Sequence, residues 1–100
     1  MCRACGTAIS REDAVFSAAE GGAVGVYANP GGWLRRVVTV RWAENLRLVG
    51  EPTEEFTWFP GFAWRVAECG GCGQHLGWRY DAAGAGAAFY GLLVAAVARG

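Results

Sequence analysis

The stretch Trp58-Phe59-Pro60-Gly61-Phe62-Ala63-Trp64-Arg65-Val66-Ala67-Glu68-Cys69-Gly70-Gly71-Cys72-Gly73-Gln74-His75-Leu76-Gly77-Trp78-Arg79-Tyr80 sets three tryptophans around a C-x-x-C turn. Proline fixes its own φ and turns the preceding residue away from helical backbone, so Phe59-Pro60-Gly61 breaks any helix here. Two short strands joined by a tight loop are expected across it. Ala63 to Glu68 leads into the Cys69 to Cys72 knuckle. Gly77 to Tyr80 reads as a strand leaving the knuckle, with Trp78 and Tyr80 on one face.

Working outward, Val24-Gly25-Val26-Tyr27 is a short apolar run stopped by the turn signal Asn29-Pro30-Gly31-Gly32. From Trp33 to Val49 β-branched and aromatic residues dominate with partial alternation, which predicts two strands or one long, bent one. Gly50 to Glu55 is a polar break. On the carboxyl side, Phe89 to Val97 fits strand or helix by periodicity, and strand is expected for its first half. No internal repeat or linker divides the chain, so residues 1–100 read as a single mainly β domain built of antiparallel strands.

Cys69 and Cys72 have counterparts in Cys2 and Cys5, a second C-x-x-C pair separated from the first by most of the chain. Each such turn presents two sulfurs to one face, and two turns complete a tetrahedral four-thiolate shell of the kind zinc prefers. A 100-residue chain is modestly stabilised by apolar burial alone, so a structural staple is expected. The chain starts Met1-Cys2-Arg3-Ala4-Cys5 with no apolar segment behind a basic start, which favours a reducing, cytoplasmic setting and metal ligation over disulfides. His75 could compete as a ligand, but four sulfurs already fill the shell and a structural role is expected for it.

Charge and composition remove several function classes. Nine basic residues, all arginine, balance nine acidic ones, and the arginines are scattered, so no phosphate-tracking stripe for nucleic acid is present. The uncharged run from Ala82 to Ala98 is short for a membrane span and contains Gly84, Gly86 and Gly91. Catalysis finds little to use: a closed four-thiolate site has no open metal position, every cysteine is consumed, and His75 is the one histidine. A reductase related to methionine-R-sulfoxide reductases, which share a similar zinc-pinned β fold, would need a further reactive cysteine.

Five tryptophans exceed what so small a core needs. Trp33 and Trp42 are expected to pack the core, as tryptophans usually do. Trp58, Trp64 and Trp78 flank loops and could instead face one another across a hollow, with Phe56 and Tyr80 as further walls. Such a box excludes water around a flat or compact group while bordering backbone reads a polar edge. The chemistry alone leaves open a methylated ammonium held by cation-π attraction, with Glu54 or Glu55 nearby.

These same blocks, W-F-P-G-[aromatic]-A-W, C-x-x-C and H-x-G-W-x-[aromatic] in one order without gaps, resemble the CULT, or thalidomide-binding, domain family to which the carboxyl-terminal domain of cereblon belongs. The amino-terminal C-x-x-C and the Asn29-Pro30 turn fall where that family has them. The resemblance implies a β-tent, two antiparallel sheets pinned by a structural zinc ion at Cys2, Cys5, Cys69 and Cys72. It implies a ligand cage with Trp58, Trp64 and Trp78 as walls and Tyr80 as base, backbone hydrogen bonds from the Phe56, Thr57 and Trp58 segment, and Asn29-Pro30 on the covering loop. The implied ligands are glutarimides such as thalidomide, or uracil- and uridine-like rings, with cyclised protein termini among the candidate natural partners. Phe56 stands where the animal domain has a histidine; that position contributes its main-chain carbonyl, so binding should survive with altered preference. The adaptor-binding parts of a ubiquitin-ligase receptor have no counterpart here, and a stand-alone domain of bacterial type is expected.

Overall fold

A computed structural model of the chain describes residues 1–18, 21–82 and 87–98. Residues 83–86 of the uncharged run therefore lie outside the described residues. Six strands form: β1 (Val24–Ala28), β2 (Leu34–Val40), β3 (Leu46–Thr53), β4 (Phe62–Cys69), β5 (His75–Ala82) and β6 (Ala88–Leu93). Two short 3-10 turns, Glu12–Ala14 and Val94–Ala96, are the only helical elements among the described residues. No helix there is long and apolar enough to cross a membrane.

All six strands are hydrogen-bonded into one antiparallel sheet in the order β1-β2-β6-β5-β4-β3. The mainly β, antiparallel expectation holds; where two sheets were expected, the ladder runs without interruption from edge to edge, and a second sheet is not seen among the described residues. The region from Trp33 to Val49 does split into two strands. The polar break at Gly50 lies inside β3, where Gly50 takes φ +80° and the register to β4 shifts between Val49 and Thr53. Such an irregularity lets an edge strand bend without ending. Ahead of Pro60 no strand forms: Thr57 N–H donates to Glu54 O and Phe62 N–H to Phe59 O, so the segment spends its hydrogen bonds on two successive turns and only β4 follows.

Alternation along the strands sorts the core. Trp64, Tyr80 and Phe89 form one cross-strand row, and Phe59, Tyr80 and Phe89 are the buried centre of an aromatic cluster on that face. Tyr80 stacks on Phe89 with centroids 5.0 Å apart, while Phe59 meets both edge-on at 4.8 and 5.1 Å. A second cluster, Cys2, Ile9, Ala14, Val40, Cys69, Leu76 and Leu92, ties the knuckles to the sheet. Thr39 is the one buried polar residue among the described residues, and its hydroxyl donates to the Phe16 carbonyl at 2.7 Å.

Two tryptophans depart from expectation. Trp33 is 74% exposed and Trp42 44% exposed, so neither fills the core. Trp33 leaves the Asn29 to Gly32 turn just ahead of β2, and Trp42, in the β2–β3 connection, lies beneath the Arg11 guanidinium at 5.7 Å.

Gly77 has a structural duty. Its φ is +153°, and a β-carbon there would overlap the Gly91 carbonyl oxygen on β6. Gly77→Ala should cost roughly 3 kcal/mol because backbone, not a flexible side chain, must yield. Gly50→Ala, at φ +80° with nothing within 4 Å, should cost only about 1 kcal/mol of left-handed strain. Urea unfolding midpoints of the two variants check the contrast.

Candidate functional site

The two knuckles are built alike. Gly6 N–H donates to Cys2 O and Gly73 N–H to Cys69 O, each at 2.8 Å, and both glycines take left-handed φ near +80°. Cys2 N–H and Cys69 N–H donate in turn to Thr7 O and Gln74 O, both at 2.8 Å. The first knuckle is anchored to the chain end by the Cys2 and Val97 bridge, the second to the β2–β3 connection by Gly70 N–H donating to Asn45 O at 2.7 Å.

This anchoring brings all four Sγ atoms within 4.8 Å of one another. Cys2 and Cys72 sulfurs lie 3.7 Å apart, Cys5 and Cys69 sulfurs 3.6 Å. Thiolates about 2.3 Å from a central zinc define a tetrahedron with edges of about 3.8 Å, so the donor set has the chemistry and spacing to hold such an ion. Burial penalises the Cys69 thiolate, but the Cys72 and Gly71 backbone N–H groups outweigh it and lower its pKa to about 6. At Cys72 the Gln74 amide favours the thiolate, yet desolvation and the three neighbouring sulfurs push it up to about 12. Four thiols so close cannot all ionise without a cation among them. His75 points elsewhere: its Nε2 meets Gly77 O at 3.0 Å, its ring edge meets Trp78 at 5.0 Å, and burial lowers its pKa.

The second constellation lies on the aromatic face. A cavity of about 70 Å³ is lined by Asn29, Pro30, Phe56, Trp58, Trp64, Trp78 and Tyr80. Seven of the eight residues expected to line a ligand site thus surround one hollow. Thr57 does not line it; its hydroxyl bonds within the turn, accepting from Phe59 N–H at 3.3 Å. The three indoles are half-buried, Tyr80 is buried, and Phe56 is 64% exposed at the rim. Burial, with Tyr27 nearby, holds the Tyr80 hydroxyl protonated far above its ordinary range.

Each wall is fixed. Trp58 and Trp78 meet edge to face at 4.8 Å. Trp58 Nε1–H donates to Ala28 O at 2.8 Å, and Trp64 Nε1–H donates to Glu55 O at 2.7 Å. Asn29 Oδ1 accepts from Gly31 and Trp33 N–H at 3.1 and 3.0 Å and so closes its own turn. Sequence reasoning missed Tyr27, whose ring stacks on Trp58 at 5.0 Å and 18°. Its signal was its place on the strand entering the Asn29-Pro30 turn. Phe56 has φ +57°, a left-handed conformation that costs a non-glycine residue about 1–2 kcal/mol. Among the described residues neither the Phe56 carbonyl nor the Trp58 N–H has a protein hydrogen-bond partner.

A larger, open depression of about 960 Å³ involves Val24, Val38, Val40 and Leu92, with Arg3, Arg11 and Glu12 also lining it. Strand alternation puts Leu92 on the face opposite Phe89, away from the indoles.

Together these features define a class: an antiparallel β domain with a four-cysteine cluster that could hold a metal ion and a small aromatic hollow on one face. Comparison with known proteins narrows it. No family model matches the chain. Cereblon of Xenopus tropicalis is 44% identical over 82 residues, covering 81% of this chain and 18% of that protein. Gallus gallus cereblon is 42% identical over the same length and shares, and that of Drosophila persimilis is 34% identical over 96 residues, 91% of this chain and 16% of its own. The chain is thus a cereblon-like domain, spanning less than one-fifth of the length of the curated relatives it matches.

Proposed function

We propose that this chain binds neutral cyclic amides, either glutarimides of the thalidomide type or uracil- and uridine-like rings, in the box formed by Trp58, Trp64 and Trp78. A structural zinc ion at Cys2, Cys5, Cys69 and Cys72 fastens the amino-terminal knuckle to the connection between β4 and β5, the strands that carry Trp64 and Trp78. One observation carries the reading: the indole N–H groups are already donating to Ala28 and Glu55, while the Phe56 carbonyl and Trp58 N–H beside the hollow are unspent. The walls therefore offer ring faces, and the backbone offers one acceptor and one donor. An imide or uracil edge, N–H next to C=O, is the complement.

The zinc would supply no chemistry beyond cross-linking, because all four positions are sulfur. The function is binding without turnover, as no cysteine, serine or histidine lines the hollow among the described residues. A methylammonium ligand is disfavoured because no carboxylate among the described residues lines it either; Glu54 and Glu55 are exposed. The relatives' similarity supports the same reading, and cyclised protein termini are natural ligands of the matching chemistry in a reducing, cytoplasmic setting.

Affinity follows from size. A ligand of about eight heavy atoms at roughly 0.7 kcal/mol each gains about 6 kcal/mol, or a Kd in the tens of micromolar. Titration of glutarimide, uridine and a tetramethylammonium salt, followed by tryptophan fluorescence, tests the assignment. Saturation with either neutral ring and none with the cation is expected; saturation with the cation alone overturns it. Phe56→His should change glutarimide affinity by less than about threefold, or roughly 0.6 kcal/mol, because the main-chain carbonyl stays in place. Loss of binding in that variant would move recognition to the Phe56 ring.

A further inference from the structure

We propose that the hollow takes a uracil ring that carries a phosphate, as in uridine 5′-phosphate, and that Arg35 holds the phosphate at its mouth. This rests on the uracil reading of the hollow and adds a charged subsite beside it. Arg35 is a cation without a counter-ion. Arg47 is paired with Glu68, and Arg65 and Arg79 share Asp81, whereas Arg35 has no ion pair, hydrogen bond or ring contact among the described residues. Arg36 lacks a partner too, but it is exposed to water, while Arg35 is half-buried. Partial burial of a charge without a counter-charge costs free energy, which an arriving anion recovers through charge-assisted hydrogen bonds.

Strand register puts this guanidinium beside the hollow. Val37 pairs with Leu93, which shares a face with Phe89, so alternation sets Arg35 on the aromatic face and Arg36 on the opposite one. Arg35 lies opposite Tyr27 on β1, and the Tyr27 ring stacks on Trp58 at 5.0 Å. Its charge also reaches His75: burial lowers the His75 pKa and Arg35 lowers it further. His75 in turn meets Trp78 at 5.0 Å. Arg35 is thus flanked by the neighbours of two of the three indole walls. The Trp78 indole N–H is a second donor on that side. Unlike those of Trp58 and Trp64, it has no protein acceptor among the described residues and stays open to water.

The carboxylates belong to another part of the rim. The Glu55 carbonyl takes the Trp64 Nε1–H, so Glu54 and Glu55 border the Trp64 wall on the β4 side. The mouth is therefore polarised, cationic toward β2 and anionic toward β4, and a negative group on the ligand is drawn to Arg35. The ribose of uridine leaves the ring from N1, across from the C4 carbonyl. When the amide edge faces the Phe56 and Trp58 backbone, the phosphate lies outside the hollow, at that mouth.

Titration of uridine and of uridine 5′-phosphate at low salt, read by tryptophan fluorescence in the zinc-loaded chain and in its Arg35→Gln and Arg36→Gln variants, tests this. The phosphate form is expected to bind about fivefold tighter than uridine in the parent chain and in Arg36→Gln. In Arg35→Gln the two ligands should bind equally, with uridine affinity unchanged. Equal affinities in the parent chain, a preference that survives Arg35→Gln, or one that Arg36→Gln also erases would overturn the subsite and leave the ring site standing. Loss of uridine binding in Arg35→Gln would make Arg35 a support of the walls and equally contradict it. Failure of the parent chain to bind either ligand would remove the uracil reading, and the subsite with it.

Discussion

Replacing Cys69 by serine is expected to leave the chain without a cooperative fold. Cys69 is 1% exposed, lies at the end of β4 opposite Leu46, and belongs to the core cluster as well as to the thiolate set. A structural zinc site contributes on the order of 10 kcal/mol in small zinc peptides. That is comparable to the whole stability of an ordinary domain, about 5–15 kcal/mol. Losing one thiolate removes much of it and also places a hydroxyl among Leu46, Leu76 and Leu92. Zinc stoichiometry near zero, with loss of the near-ultraviolet dichroism of the tryptophans, is the expected pair of readings. A zinc-free variant with a normal melting transition would show that the metal is not the staple.

Acid should act in the same direction. Zinc takes thiolates, so binding releases protons and protons displace zinc. With Cys72 held near 12 in the metal-free cluster, the unoccupied site is never fully ionised at neutral pH, and each step down in pH favours the thiols further. Zinc retention is therefore expected to fall steadily on acidification, as a chelator competition across pH would read.

The second large effect is expected at Trp64. Its indole is one wall of the hollow and its Nε1–H fastens the Glu54 to Thr57 turn through Glu55 O. Trp64→Ala opens the cavity to water and frees the segment that carries the Phe56 carbonyl. Truncating a central tryptophan commonly costs at least ~2 kcal/mol of binding, about thirtyfold, which moves a tens-of-micromolar Kd into the millimolar range. The fluorescence response to glutarimide should be lost while zinc content stays at one per chain, since Trp64 is remote in the strand from Cys69. Loss of zinc together with binding would mean that Trp64 supports the metal centre.

Much of this was legible in the sequence where chemistry fixes spacing. The two C-x-x-C turns could be paired before any coordinates, because two such turns together complete a four-thiolate shell, and the sulfurs do converge. Trp78 and Tyr80 were assigned to one face by alternation alone, and the register to β4 and β6 bears that out. What failed was local inference across glycine and proline. Gly50 looked like the end of a strand but lies at an irregularity within β3, where the strand takes four steps from Val49 to Thr53 against two on β4 and pairing resumes beyond it. Pro60 was read as joining two strands, but the residues before it are turns.

Trp33 and Trp42 show the limit of composition. Burial statistics favour the core, yet nothing in a residue's type reveals that it falls in a connection rather than a strand, as Trp33 and Trp42 do on either side of β2. Tyr27 shows the converse: its contact with Trp58 joins residues from opposite parts of the sheet order, a pairing that appears only once the Ala28 carbonyl meets the Trp58 indole N–H. The left-handed Phe56 was equally invisible, since an aromatic residue carries no signal for that conformation.

A crystal structure of the zinc-loaded chain grown with glutarimide addresses the account most directly. It should place the imide ring among Trp58, Trp64 and Trp78, with its N–H on the Phe56 carbonyl and one carbonyl on the Trp58 N–H. Density for the ligand elsewhere, or indoles closed on one another with the hollow empty at saturating ligand, would contradict it.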